Sequence, residues 1–281
     1  MIPCVWYVSK TVDVWRRALI GRMAESLRSR GISLSLYVDG SVAGIDAREV
    51  SAWSALTGLE RASRIAFSGR ALWHLWGDAP AWWRIVRLRS RAVHTSFEEK
   101  TSWCGYPSRV FPDRTREGEA LILPTFDFRI SGVDEEGPLP VVCLGGAASQ
   151  GLKGALSGKE LTVLNADDLA PDALTARSGV FIAGPEGFDA LRAAFLTMQG
   201  LVVAASESPY LNALLGDEGY IRAAEDTESA WRLTLEAALS ERGRAAAVSA
   251  RHFIKARCSP ERCADSMIAL YSSALGDADL P

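Results

Sequence analysis

Residues 178–206, SGVFIAGPEGFDALRAAFLTMQGLVVAAS, carry the clearest pattern of alternating secondary structure in the chain. This stretch begins and ends with short apolar runs, 178–184 and 200–206, of the kind that predict buried strands. Between them, residues 185–199 carry apolar side chains at helical spacing behind Pro185, and proline is tolerated in the first turn of a helix. This order predicts two parallel strands joined by a crossover helix.

The start of the chain repeats the order. An apolar run at 5–8 is followed by a helical pattern at 14–31 and a second apolar run at 32–40, and Gly31 stands where a helix commonly ends. The polar residues 104–120 contain two prolines and are predicted as the loose end of the first half. Further strands are predicted at 71–78, 92–96, 139–146 and 160–165, and helices at 79–91 and over most of 227–275.

Length and patterning together favour two α/β domains. The chain has 281 residues, which is comfortable for two domains of ordinary size. We predict an N-terminal Rossmann-like domain at 1–120 and a C-terminal Rossmann-like domain at 121–262. Residues 263–281 are predicted as a C-terminal helix and tail that could pack back on the first domain. In open α/β sheets ligands bind beyond the carboxyl ends of the strands, so a cleft faced by both domains is the expected site.

Composition excludes several function classes. The net charge of −3 gives no global basic field, so no nucleic-acid partner is expected. No run of 18 apolar residues is present, so no membrane-spanning helix is expected. The start MIPCVWYVSK lacks the pattern of a signal peptide, and the five scattered cysteines fit reduced thiols. A cytoplasmic protein is expected, either free or peripheral to the inner membrane face.

Six motifs of the second half occur in a recognisable order. They are LPTFDF at 123–128, LGG at 144–146, LKG at 152–154, PEGFDAL at 185–191, QGLVVAAS at 199–206 and GDEGYIRA at 216–223. This order resembles the C-terminal domain of the family 4 retaining glycosyltransferases and covers most of residues 121–275. In the first half, ALWHLWGD and AVHTSFEEK are similar to two strand ends of that family. The resemblance implies a GT-B fold, two Rossmann-like domains facing a cleft.

The resemblance implies a nucleotide-sugar site in the second half. Gly145 and Gly146 form the turn after a strand, and Lys153 matches a lysine that binds the donor diphosphate. A flexible point charge suits a phosphate, although an exposed lysine without a ligand is the common alternative. The same match carries nucleotide-sugar binding to three residues at the start of a helix: Gly187, Phe188 and Asp189.

Two residues are implied to act in catalysis. Glu186 matches a glutamate that contacts the donor sugar hydroxyls, and His94 matches a histidine near the reacting carbon. A retaining reaction without a protein nucleophile needs positioned polar groups rather than a strong base. Each residue also has a structural alternative. Glu186 could offset the dipole of its helix, and His94 could be hydrogen-bonded within its strand end.

The chain departs from the family pattern at three places. Gly146 stands where the family has an arginine, and Ala194 stands where it has a second glutamate. The first loop reads SKTVD at 9–13 and lacks the glycine pair of the family. Arginines that could substitute are Arg16, Arg17 and Arg70. Losing charge-assisted hydrogen bonds to the donor could cost about 1.5–3 kcal/mol each.

Residues 79–91 allow two interpretations. The stretch APAWWRIVRLRSR interleaves arginines with tryptophans and aliphatic residues. Such a helix can lie on an anionic membrane face. It can equally be an inner helix that buries its tryptophans against the sheet while the arginine stems reach outward.

The function expected first is a glycosyltransferase of the hexosyl-transferring type, acting in polysaccharide biosynthesis. Its partners would be a nucleotide-sugar donor and a glycan, lipid-linked or small-molecule acceptor, with no cofactor and no metal. The alternative is a catalytically inactive GT-B-like protein that binds a partner or a glycan. A GT-B-like epimerase fits less well, because such enzymes need several acids and histidines at the cleft and the chain has three histidines.

Overall fold

The computed structural model describes residues 3–68, 71–97, 104–113, 117–126, 141–157, 159, 161–169, 171, 179–184 and 187–276. The chain divides into two compact units. Unit 1 comprises Met1–Thr125 and Cys258–Pro281, and unit 2 comprises Phe126–Arg257. Unit 2 is therefore inserted, in sequence, between two parts of unit 1.

The strands are β1 Cys4–Val8, β2 Leu34–Val38, β3 Val50–Ala52, β4 Leu72–Trp76, β5 Arg91–Thr95, β6 Tyr106–Val110, β7 Ala120–Ile122, β8 Val141–Leu144, β9 Thr162–Asn165, β10 Gly179–Ile182, β11 Val202–Ala205 and β12 Ile221–Arg222. The helices are α1 Val14–Ser29, α2 Gly58–Phe67, α3 Trp83–Arg89, α4 Gln150–Leu156, α5 Gly187–Met198, α6 Pro209–Leu215, α7 Glu228–Ala238, α8 Glu241–Arg257 and α9 Pro260–Leu275.

Each unit is built on a parallel sheet, which confirms the predicted α/β fold class. In unit 1 the strand order is β3-β2-β1-β4-β5-β6-β7, and in unit 2 it is β12-β11-β10-β8-β9. Every strand pair in both sheets is parallel. Parallel neighbours need crossover connections, and described helices lie in several of them: α1 between β1 and β2, α3 between β4 and β5, α4 between β8 and β9, α5 between β10 and β11, and α6 between β11 and β12.

The prediction for residues 104–120 was wrong. These residues hold β6 and the first residue of β7, which extend the sheet of unit 1 beyond β5. Their strand character is hidden in the sequence because polar side chains occupy inward positions. Arg109 and Glu119 are nearly fully buried and form an ion pair, with Nε and Oε2 3.2 Å apart. Paired charges can be buried, but a hydrophobicity pattern does not reveal them.

One face of the unit 1 sheet carries a cluster of tryptophans. Trp53, Trp73 and Trp83 are at most 1% exposed, and they pack with Tyr7 of β1 and Ile65 of α2. Their rings meet edge-to-face, an arrangement that aromatic pairs prefer. Helices α2 and α3 therefore cover the same face of the sheet.

The opposite face of the unit 1 sheet is bound to α9 by a buried chain of hydrogen bonds. Trp6 Nε1 donates to Tyr271 Oη at 2.7 Å, and Tyr271 Oη lies 2.9 Å from His74 Nδ1. His74 Nε2 lies 2.6 Å from Thr95 Oγ1, which is 2.6 Å from Ser108 Oγ. Ser108 donates onward to a backbone carbonyl.

One direction of donation satisfies the whole chain of hydrogen bonds. The Trp6 indole can only donate, so the Tyr271 hydroxyl accepts from it and donates to His74 Nδ1. His74 then carries its proton on Nε2 and donates to Thr95, whose hydroxyl donates to Ser108. Each donor is used once, as a fully satisfied buried network requires.

Unit 2 places helices around a shorter sheet. Its core joins residues of four strands to α4, α7 and α8, and its members include Val142, Val180, Ala204, Trp231 and Leu235. Helix α5 is buried along most of its length. The strand–helix–strand prediction for 178–206 is confirmed by β10, α5 and β11.

We expect Tyr271→Phe to lower the free energy of unfolding by about 3 kcal/mol, because it leaves both the Trp6 N–H and His74 Nδ1 buried without a partner. Chemical denaturation measures the change. The matched control is Tyr106→Phe in the same unit, since the Tyr106 hydroxyl bonds none of the residues that the structure describes. Equal stability of the two variants would contradict the assigned chain of hydrogen bonds.

Candidate functional site

The sheet of unit 2 reverses its direction of growth at β8 and β10. From β8 the chain continues to β9 on one side of β8, and β10 then lies on the other side. Ligands of open α/β sheets bind at such a switch point, outside the carboxyl ends of the two strands. Topology alone therefore points to the turns that follow Leu144 and Ile182.

Glycines form both turns. A Cβ atom on Gly145 would lie 2.9 Å from Phe181 Cζ, and one on Gly184 would lie 2.2 Å from Asp189 Oδ2. Larger residues would push these neighbours aside. A Cβ on Gly146 would meet no atom of the described residues within 4 Å, so among these residues it leaves open space at the end of β8. A ligand can approach the backbone there.

A cavity of about 550 Å³ lies over these turns, within the size range of small-molecule sites. Its walls come from the ends of β8 and β10, the residues after β9 and β11, and the starts of α4, α5 and α7. The lining residues are Leu144, Gly145, Gly146, Ala147, Ala148, Ser149, Leu152, Asp167, Ile182, Ala183, Gly184, Asp189, Arg192, Ser206, Asp226 and Trp231.

Arg192 of α5 joins three walls of the cavity. Its Nη1 donates to the Gly145 carbonyl oxygen at 3.0 Å, and its Nη2 donates to Asp167, which follows β9. Nη1 is also 3.5 Å from Asp189 Oδ1. The Arg192 side chain is 7% exposed. Because a planar guanidinium offers several donors in fixed directions, one side chain fixes the turns after β8 and β9 relative to α5.

Asp226 fixes the opposite wall. Its Oδ1 accepts from the Ser149 hydroxyl and from Trp231 Nε1, the latter at 2.9 Å. Ser149 also accepts from Leu152 N at 3.3 Å and so caps α4. The hydrogen bonds from Ser149 and Trp231 lower the pKa of Asp226 below its ordinary value. Asp226 is therefore ionised at neutral pH.

The structure brings three of the sequence-predicted binding residues together. Gly145, Gly146 and Asp189 all line the cavity. Lys153 lies on α4 one residue beyond the lining residue Leu152, but its side chain is exposed and does not line the cavity. Its assignment to the diphosphate stays a prediction.

The remaining predicted residues of unit 2 are described only in part. Glu186 lies outside the described residues. Gly187 is the first residue of α5 and Phe188 the second, while the side chain of Phe188 lies outside what the structure describes. Ala194, which stands where the resembling family has a glutamate, is fully buried in α5.

His94 lies in β5 of unit 1 and is fully buried. Its Nε2 donates to the Gly77 carbonyl oxygen at 2.8 Å, and its Nδ1 accepts from Cys104 N at 3.3 Å. Both ring nitrogens thus have partners within unit 1. Burial lowers the pKa of His94 below its ordinary value of 6.5, so the ring is neutral at pH values near 7. The proposed catalytic role of His94 stays a prediction.

The arginines suggested as substitutes in the first loop have other partners. Arg17 is buried and donates to backbone carbonyls, among them that of Val12 at 2.8 Å. Arg16 pairs with Asp13 at 3.0 Å and lies over the Phe97 ring. Arg70 lies outside the described residues.

Sequence reasoning did not identify Arg192, Asp167, Ser149, Asp226 or Trp231 as lining residues. One signal was available in the helix 187–198, where Asp189 and Arg192 are a charged pair three residues apart among apolar residues. Charged residues on a buried helix face need partners. The other lining residues are brought together from segments distant in sequence, so no local sequence pattern predicts them.

Comparison with solved structures shows the fold. A glycosyltransferase from Rickettsia africae ESF-5 matches with a TM-score of 0.64 at 11% identity, over 99% of this chain and 100% of that chain. Anabaena HepE in complex with UDP and glucose matches with a TM-score of 0.61 at 12% identity, over 97% of this chain and 100% of that chain. A candidate UDP-N-acetylglucosamine 2-epimerase from Listeria monocytogenes matches with a TM-score of 0.55 at 9% identity, over 100% of this chain and 99% of that chain.

These likenesses give the chain the fold of GT-B glycosyltransferases, as the sequence predicted. No family model matches the sequence, and no curated protein matches it. None of the helices in the described ranges combines the length and the hydropathy that a membrane-spanning helix requires. Nor do three or more His, Cys, Asp or Glu side chains of those ranges gather as metal ligands.

The two buried histidines predict a pH-dependent stability. Burial lowers the pKa of His74 well below 6.5 and also lowers that of His94. Between each lowered value and about 6.5 the unfolded chain binds more protons than the folded one. We therefore expect the free energy of unfolding to be highest above about pH 6.5 and to decrease as the pH is lowered towards about 5. Carboxylates remain largely ionised over this range, so the decrease reports on the histidines.

Denaturation curves across this pH range measure the effect. His252→Gln is the matched control, because His252 is exposed on α8 and its replacement should leave the slope unchanged. His94→Gln should reduce the slope. A free energy of unfolding that stays level through the range would contradict the neutral, buried state of both rings.

Proposed function

We propose that the protein is a glycosyltransferase that takes its sugar from a nucleotide-sugar bound in the cavity of unit 2. The observation that supports this most is the cavity at the switch point of β8 and β10, where glycine turns open the backbone to a ligand. The fold adds support, because the solved structures that share it include glycosyltransferases, one of them in complex with UDP and glucose.

In this proposal the donor diphosphate lies beside Gly145 and Gly146 and near the start of α5. Transfer of the sugar leaves a nucleoside diphosphate with growing negative charge. Backbone N–H groups and the positive end of a helix dipole stabilise such charge without reorganising. Helix α5 begins at Gly187, shortly after the lining residue Gly184, and is long enough for its dipole to matter.

The apolar wall and the carboxylates have separate proposed tasks. Leu144, Ile182 and Trp231 offer a surface against which a nucleoside base can lie. Asp226, which is ionised and exposed, can accept hydrogen bonds from donor hydroxyls. Arg192 acts as a positioning residue, since its guanidinium is engaged by Asp167, Asp189 and a carbonyl oxygen.

The finer assignments belong to the same proposal. The protein resembles family 4 and would transfer a hexose-type sugar with retention to a glycan, lipid-linked or small-molecule acceptor. Glu186 would contact the donor sugar, and Lys153 would reach the diphosphate. No metal or cofactor enters this scheme.

One observation favours a second candidate, a catalytically inactive GT-B-like binding protein. Among the described residues, the cavity is lined by three carboxylates, Asp167, Asp189 and Asp226, and by the guanidinium of Arg192, which is already paired. This excess of negative charge disfavours the binding of an anionic diphosphate. Thermal-shift titration with UDP, GDP and ADP separates the two, because a bound ligand raises the unfolding midpoint. A flat response to all three favours the binding protein.

Gly146→Leu tests the cavity without disturbing the fold. The added side chain meets open space in the protein but occupies the room beside the proposed diphosphate. We expect the Kd for the nucleoside diphosphate to rise about tenfold or more, a loss of at least about 1.4 kcal/mol, and release of nucleoside diphosphate from the sugar donor to fall with it.

Gly58→Leu is the matched control, since it makes the same change at another glycine whose Cβ would meet nothing within 4 Å, in unit 1. It should leave binding unchanged. Full nucleotide binding by a folded Gly146→Leu protein would place the donor outside this cavity.

Lys153→Ala tests the predicted diphosphate lysine. If the flexible side chain reaches the ligand, its loss should weaken nucleoside diphosphate binding about fivefold, because an exposed charge pair is worth up to about 1 kcal/mol. Isothermal titration measures the affinity. The comparison is Lys255→Ala, another exposed lysine of unit 2. Identical affinities of the two variants would show that Lys153 does not contact the diphosphate. The proposal that the donor binds in the cavity would be unaffected.

A further inference from the structure

Helices α2 and α3 present a surface that the proposed function does not use. Val86 and Trp83 of α3 are buried against the sheet, so the opposite side of this helix faces outward. There Leu88 is 85% exposed and Ile85 is 50% exposed. At the end of α2, Phe67 is 90% exposed.

The C-terminal ends of the two helices lie at the same edge of the sheet. Helix α2 leads into β4 and α3 leads into β5, and these strands are parallel neighbours. Both helices cover the same face, because Ile65 of α2 packs in one cluster with Trp83 and Val86 of α3. Phe67 and Leu88 therefore lie near the same edge and on the same face of the sheet.

Basic side chains surround these apolar ones. We define the basic-apolar face by Arg64, Phe67, Arg84, Ile85, Arg87, Leu88 and Arg91, all of them exposed or half-exposed. None of its four arginines forms an ion pair with a residue in the described part of the chain.

Acids are scarce in this part of the sequence, although Glu60, one turn before Arg64 on α2, interacts electrostatically with that arginine. Residues 61–97 contain a single acid, Asp78, which follows β4 at the other edge of the sheet. The whole chain nevertheless carries a net charge of −3. Positive charge is thus concentrated on one surface of a mildly acidic protein.

We propose that the basic-apolar face binds the surface of an anionic lipid bilayer, with Phe67 and Leu88 entering the headgroup boundary and the arginines contacting lipid phosphates. Arginines interleaved with exposed leucine and phenylalanine match such an interface. A nucleic-acid backbone would engage the arginines but would leave the aliphatic side chains in water. This binding is additional to the proposed transfer reaction and does not depend on it.

Vesicle co-sedimentation tests the proposal, with vesicles of phosphatidylcholine alone and of phosphatidylcholine mixed with phosphatidylglycerol. The protein should bind only the anionic vesicles, and added salt should weaken binding. Arg84→Gln and Arg87→Gln should each lower the partition coefficient about fivefold. Phe67→Ser and Leu88→Ser should each lower it about tenfold, because each removes an inserted apolar side chain.

Exposed residues of unit 2 supply the controls. Leu233 is 68% exposed on α7, and Arg242 is exposed on α8. Leu233→Ser and Arg242→Gln should leave vesicle binding unchanged. Since every substituted side chain is at the surface, circular dichroism and the thermal midpoint should show all variants folded.

Three results would overturn the proposal. The first is absent binding, or equal binding to both kinds of vesicle. The second is binding that depends on the arginines but not on Phe67 and Leu88, with equal affinity for single-stranded RNA, which would indicate a general polyanion site. The third is a dimer in sedimentation velocity that Phe67→Ser and Leu88→Ser convert to monomer, which would make this face a contact between copies of the chain.

Discussion

The hydrogen bonds that connect Trp6, Tyr271 and His74 hold unit 1 together from two distant parts of the sequence. Tyr271 belongs to α9, whereas Trp6 and His74 stand on neighbouring central strands. A buried hydroxyl without these partners would be costly, so the register between α9 and the sheet is fixed by polar chemistry as well as by packing. Leu123 N adds a second tie where it donates to Ser266 of α9 at 3.0 Å. The insertion of unit 2 between β7 and α9 is possible because these contacts close unit 1 across it.

Much of the fold can be predicted from the sequence, because local patterns determine it. The run 178–206 and the run 5–40 each give strands and a helix of nearly the observed lengths, and Gly31 has the positive φ of 78° expected just beyond the end of α1. The strands that escaped prediction are short or carry polar residues inward. β6 is the clearest case, since the buried Arg109 is balanced by Glu119, and only the folded sheet brings that pair together.

The residues of the candidate site also fall into those that local sequence motifs predict and those that only the folded structure brings together. The glycine turns after β8 and β10 follow from short motifs, and Gly145 and Gly146 do line the cavity. Arg192 could not be assigned from sequence, because its position matters only once the turns after β8 and β9 meet α5. The same contacts tie the turn after β8 to α5 and so help to keep the shape of the cavity. The Arg192 guanidinium, which α5 supplies, orders the Gly145 carbonyl.

The divided sequence of unit 1 has a consequence for its biosynthesis. The ribosome completes β1 to β7 first, then makes all of unit 2, and only afterwards releases α9. Translation proceeds at about 5–20 residues per second. The sheet face that bears Trp6 and His74 is therefore synthesised on the order of ten seconds before α9, which covers it. During that interval a nascent chain exposes indole and imidazole groups that the finished molecule hides. Chaperones that shield apolar surface would act on this protein at that stage, before the last helix docks.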